Sequence, residues 1–164
     1  MTIIEVMIVV AIVGVIAVLA TVGLSGYIRH SKTAEATRSL GIIETGARQQ
    51  FTRVTVVGES GVHMFCPSGP LTPPAVPKGS KSKIDVALWN DATWRCLMFT
   101  LNDPQFYSYR HLGNGAVGTA ALYTASAHGD LDGDAVTSTF TLTGKGSAYG
   151  EAERVALKIT LEDE

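Results

Sequence analysis

A chain of 164 residues, less an N-terminal helix of about 50, leaves about 110 residues for one compact domain with its own core. The net charge of −2, from 13 Lys and Arg against 15 Asp and Glu, excludes a globally basic nucleic-acid binder. The 46% hydrophobic content is weighted toward the first segment, and two cysteines without C-x-x-C or cysteine–histidine spacing give no zinc pattern.

Residues 1–28 form an aliphatic run with a single charged side chain, Glu5. As a helix they would reach about 42 Å, longer than the roughly 20 apolar residues that cross a bilayer core. β-branched residues are mediocre helix formers in water, but in lipid a lone segment must satisfy its backbone internally. The run therefore predicts a helix held in a membrane or in an equally dry surrounding. Glu5 is costly there unless paired. Residue chemistry leaves two readings open. Glu5 reaches the headgroups near the helix start, where the dipole favours an anion, or it meets a cation, for which the α-amine of Met1 in a neighbouring copy is the nearest source. Arg29, His30 and Lys32 follow the run and no basic residue precedes it. The positive-inside rule alone would then put the rest of the chain in the cytoplasm.

The opening Met-Thr-Ile-Ile-Glu-Val-Met-Ile-Val-Val-Ala-Ile-Val-Gly-Val-Ile-Ala resembles the mature N-terminus of type IV pilins and of the related pseudopilins of type II secretion. Thr2, Glu5 and Gly14 within the aliphatic run carry that resemblance, which covers residues 1–28 closely and the remainder only in architecture. It implies that a prepilin peptidase removes a short basic leader, which resolves the orientation conflict, and that Met1 is then N-methylated. It further implies that Glu5 pairs with the Met1 amine of an adjacent subunit, with Thr2 beside them. The implied partners are further copies in a helical filament, the inner membrane before assembly, and the pilus assembly machinery. Family members usually begin with Phe, and many carry a proline near position 22, where this chain has Val22. Its candidate points of helix flexibility are instead Gly14, Gly23 and Gly26, each costing up to about 1 kcal/mol relative to Ala.

Over residues 29–54 the helix continues and changes character. Ala36, Leu40, Ile43, Ala47, Phe51 and Val54 recur at spacings of 4, 3, 4, 4 and 3, an apolar stripe at helical period. Lys32, Glu35, Arg38, Glu44, Arg48 and Arg53 are expected mostly on other faces, Gly41 and Gly46 are weak points, and the helix should stop within 54–58. The connector at 55–83 holds five of the six prolines and can be neither helix nor central strand. Cys66 within it and Cys96 read as one disulfide in an exported domain, or as two buried thiols in a reducing compartment. Lys78, Lys81 and Lys83 make a small basic cluster, either a solvated loop or a weak contact for DNA or a surface.

Trp89, Trp94, Leu88, Leu97, Met98 and Phe99 within 84–101 are candidate core that seats the head on the helix, with a ligand stack as the alternative. Stretches 105–112, 119–127, 138–143 and 155–160 alternate between glycine-rich turns and predict four antiparallel strands. The fold class expected is α+β, a long helix packed on a four-stranded head spanning 55–164. Gly113-Asn-Gly-Ala-Val-Gly118 matches G-x-G-x-x-G but lacks the following helix of a βαβ unit, so it reads as a hairpin turn. Gly58-Glu-Ser60-Gly lacks the features of a nucleophile elbow and is a turn. Asp130, Asp132 and Asp134 could converge oxygens on Ca²⁺. Ala135 and Thr141 stand where an EF-hand needs Gly and Glu, so only a looser calcium loop or an Asp/Gly turn remains. His30, His63, His111 and His128 show no ligand spacing, and no constellation supports catalysis. The function expected is a non-enzymatic filament subunit at the bacterial surface, supporting motility, adhesion or DNA uptake. A secretion pseudopilin and a minor pilin with a tip binding site are the alternatives.

Overall fold

The computed structural model describes residues 2–83 and 85–161, leaving aside the side chains at 21–23 and 25. Helix α1 runs unbroken over Ile3–Thr52, 50 residues. Its window Ile3–Ala20 has a mean hydropathy of 3.0 and is 0% buried, so this half projects from the rest of the chain as an apolar stalk. The upper half turns its stripe inward: Ala36, Leu40, Ile43, Ala47 and Phe51 are all 0% exposed. Val54 does not join them. The helix ends at Thr52 and Arg53 caps it with extended backbone, which carries Val54 off the stripe to 61% exposure.

The connector is less irregular than its prolines suggest. Strands β1 (Thr55–Val57) and β2 (Ser60–Val62) form a hairpin closed by Gly58, at φ +65°, and Glu59. The remaining connector runs along the outer edge of the main sheet. Thr72 exchanges backbone hydrogen bonds with Tyr109 at 2.8 and 2.7 Å, and Gly69 donates to His111 at 2.9 Å. That pairing blunts an edge that would otherwise invite strand addition. The Cys66–Cys96 disulfide is formed and ties the connector to α2 (Ala92–Cys96).

The main sheet is antiparallel in the order β3 (Tyr107–Gly113), β4 (Leu122–Gly129), β5 (Ser138–Gly146), β6 (Ala152–Thr160). Tyr123, Ala125 and Ala127 of β4 and Phe140 and Leu142 of β5 alternate into the core, as period-two strands with one covered face require. Trp89, Trp94 and Phe99 cluster with ring centroids 5.0–5.5 Å apart, and Trp94 Nε1 donates to the buried Thr72 Oγ1 at 2.9 Å. Leu88 and Met98, expected in that core, are 40% and 55% exposed instead. They lie at the short 3₁₀ helix Val86–Asn90 and just beyond α2, on segments too short to present more than one face inward. Gly46 proves to be a contact: a Cβ there would overlap the Leu97 carbonyl, so its absence lets the end of α2 touch α1.

The disulfide closes a loop of sequence separation 30. Replacing both cysteines by serine is expected to lower the unfolding free energy by about 3–4 kcal/mol in the chain-entropy account. Urea unfolding followed by tryptophan fluorescence measures this. An unchanged midpoint would contradict the bridge's role in holding the connector.

Candidate assembly surface

Among the residues the sequence singles out at the stalk, Met1 lies outside the described residues. Thr2 and Glu5 come together as a reciprocal cap. Thr2 is the N-cap and accepts the Glu5 amide on its side chain at 3.4 Å, while the Thr2 amide donates to Glu5 Oε2 at 2.9 Å. This capping box satisfies two of the amides left free at any helix start. The signal Thr-x-x-Glu stands in the sequence, and the stalk reading of Glu5 as a charge in search of a partner passes over it. Gly14, Gly23 and Gly26 all lie inside the unbroken α1. A Cβ added at Gly14 or Gly26 would meet nothing within 4 Å, so no contact within the described residues requires glycine at either place.

Ion pairs and charged hydrogen bonds flank the apolar joint between helix and head. Glu44, expected on an outer face, is 5% exposed. It accepts from Arg154 Nε at 3.0 and 3.1 Å and from its Nη2, and Arg48 lies 3.6 Å away one turn along. Arg154 follows Glu44 by 110 residues in sequence, so helical period alone could not reveal the pair. Lower down, Glu35 accepts the Phe106 amide at 2.7 Å and faces Lys81 at 3.5 Å. Lys32 and Lys81 both sit over the Phe106 ring, at 4.8 and 5.1 Å. Of the basic cluster, Lys81 is therefore engaged with the helix, while Lys78 and Lys83 are exposed.

Asp130, Asp132 and Asp134 do converge, each with a carboxylate oxygen within 4.8 Å of the others. These three could hold a Ca²⁺, which needs six or more oxygens. Their geometry also closes the loop on itself. Asp130, 2% exposed, accepts the Gly133 amide at 2.6 Å and the Ala135 amide at 3.0 Å. Asp134 accepts Val136 at 2.7 Å, and Asp132 pairs with Arg29 on α1 at 3.5 Å. The loop thus touches the helix where stalk gives way to head.

His111, which sequence spacing leaves without a role, is fully buried and stacks on Tyr123 at 5.6 Å. Burial pushes its imidazole down to about 4, against a weaker opposing pull from the Cys66 backbone. The folded value lies below the ordinary 6.5, so the unfolded chain takes up a proton first as pH falls. The stability contribution is complete above about 6.5 and is lost as pH falls toward 4. About 2 kcal/mol should disappear between roughly pH 7 and pH 5 by this linkage. Thermal unfolding across that range checks it, and His111→Phe is expected to flatten the slope. An equal slope in both proteins would contradict the assignment.

No family model, curated protein or solved structure matches this chain. The features established are a projecting apolar helix, long enough for a membrane anchor or a signal sequence, and a disulfide-bonded head on a four-stranded antiparallel sheet.

Proposed function

We propose that this chain is a structural subunit of a type IV pilus, polymerising through bundling of its N-terminal helices. One observation carries the reading: an 18-residue window of mean hydropathy 3.0 that is 0% buried, continuous with a helix whose upper half is locked into a folded head. Such a stalk needs a dry surrounding at both ends of its life. In the membrane lipid covers it, and on extraction the same surface is buried against the stalks of other copies. The resemblance of residues 1–28 to pilins supports the same reading, as do the α+β order and the stapled connector.

Glu5 then sets register. Apolar burial is worth about 25 cal/mol per Å² and has no direction along a helix, whereas an ionised carboxylate in a dry bundle is stabilised most where a cation meets it. The amine of residue 1 in a neighbouring subunit is that cation, and the extracellular filament with its inner-membrane pool is the corresponding location. A type II secretion pseudopilin is the second reading, favoured by the convergence of Asp130, Asp132 and Asp134.

Two substitutions separate the cap from the ion pair. Glu5→Gln keeps a side chain able to complete the capping box but carries no charge, and Glu5→Ala loses both. Both variants are expected to fractionate with the membrane as wild type does, and both should reduce sheared surface filaments at least tenfold. Normal filament yield and length in Glu5→Gln would remove charge pairing from the account.

A further inference from the structure

We propose that the β1–β2 hairpin of one copy seats in a cleft along the upper α1 of a second copy, a contact that rests on the filament reading above. Two adjoining hollows, about 440 and 350 Å³, share Arg38 and Ile42 and run along α1 from Ala34 to Gln49. At 1.5 Å per residue that is a channel of about 22 Å. Its far wall comes from the segment after α2, where Met98 and Asp103 face the helix across the hollow. Met98 adopts φ +52° and leaves its side chain 55% exposed, and Ile42 is 44% exposed. Side-chain-bearing residues rarely take that backbone conformation. Among the described residues, neither Arg38 nor Asp103 has a side-chain ion pair or hydrogen bond. The cleft therefore has a mixed lining, with Ile42 and Met98 as exposed apolar contacts, one unpaired cation, one unpaired anion, and the Glu35–Lys81 pair already satisfied at its lower end.

The hairpin is its counterpart. Val54, Val56 and Val57 are 61%, 75% and 55% exposed, beside Glu59 at the turn and Arg53 at the base. Among the described residues, neither charge has a side-chain partner. A two-stranded ribbon of three-residue strands is marginal alone in water, so cover over its valines would stabilise it. Its base is fixed beyond the end of α1, by His63 Nδ1 on the Phe51 carbonyl at 2.8 Å and Gln50 Nε2 on Thr55 Oγ1 at 3.4 Å. That anchoring keeps it out of its own cleft. In the contact Glu59 meets Arg38 and Arg53 meets Asp103, while Val57 covers Ile42 on the helix wall and Val56, on the ribbon's other face, covers Met98 on the far wall. Because two different patches meet, the contact is heterologous and repeats from copy to copy without closing on a pair.

The full-length chain carrying Ile42→Cys and Val57→Cys tests this in sheared filaments and in membranes, by non-reducing electrophoresis. Integrity of Cys66–Cys96 in each variant is checked by mass spectrometry of the digest. The expected result is a ladder of covalent multimers in the double variant, with each single variant remaining monomeric because its one new thiol faces an aliphatic side chain. Charge reversal Arg38→Glu should lower filament yield at least tenfold, and adding Glu59→Arg should restore it to within about threefold. Filaments that form without a ladder overturn the contact and leave the pilus reading intact. A ladder in membranes from cells that make no filaments supports the contact and removes the pilus reading. A closed dimer in the double variant, or cross-linking to a different protein, overturns the choice of a second copy in this arrangement.

Discussion

One helix has to satisfy two surroundings, and the remaining structure follows from that constraint. The lower half of α1 exposes an aliphatic surface that is 0% buried over Ile3–Ala20, while the stripe of its upper half is sealed beneath a sheet. Each Val, Leu or Ile taken out of water contributes roughly 1.5–3 kcal/mol, so a stalk of this composition gains tens of kcal/mol from any dry cover. A single carboxylate costs several kcal/mol when buried unpaired. Burial therefore wins by a wide margin, and in the proposed filament Glu5 is left to decide where along the stalk a neighbour comes to rest. On that proposal adhesion and register are carried by different residues.

The head secures the other end of the same helix. Glu44, almost wholly buried, anchors Arg154 of the last strand to α1, and Arg29 and Glu35 bind the Asp loop and the start of β3 at lower turns. Arg154 is itself about half exposed, so water screens part of the attraction. The pair contributes more to where β6 sits against the helix than to overall stability. The Cys66–Cys96 bridge holds the connector over the β3 edge, and the stalk is left as an extended apolar surface in need of cover.

Much of this was legible because periodicity reports burial. The spacing of Ala36, Leu40, Ile43, Ala47 and Phe51 marks the buried face directly, and alternation marks four strands within two or three residues of their ends. The errors have local causes. Strand β4 begins at Leu122 and not at 119, because a 3₁₀ turn occupies Gly118–Ala120, where Asn114 donates to the Ala120 carbonyl at 2.9 Å and accepts the Leu122 amide at 3.0 Å. Strand β6 begins at Ala152, where polar Glu153 and Arg154 hide the pattern and a bulge at Thr143/Gly144 shifts the register. The β1–β2 hairpin carries its own signal, valines around Gly58-Glu59, which the neighbouring prolines obscured. The Glu44–Arg154 pair and the cleft beside Arg38 were not legible, since each joins segments distant in sequence. At the stalk the reverse holds: Thr-x-x-Glu spells the capping box within four residues.

The central claim is that the stalk's cover is other copies of this chain. Electron microscopy of the sheared surface fraction, with mass spectrometry of its principal protein, tests it most directly. Long thin filaments composed chiefly of this chain, with an N-methylated residue 1, are the expected result. A surface fraction without such filaments, with the chain retained in the membrane or present only as a trace among another subunit, would contradict it.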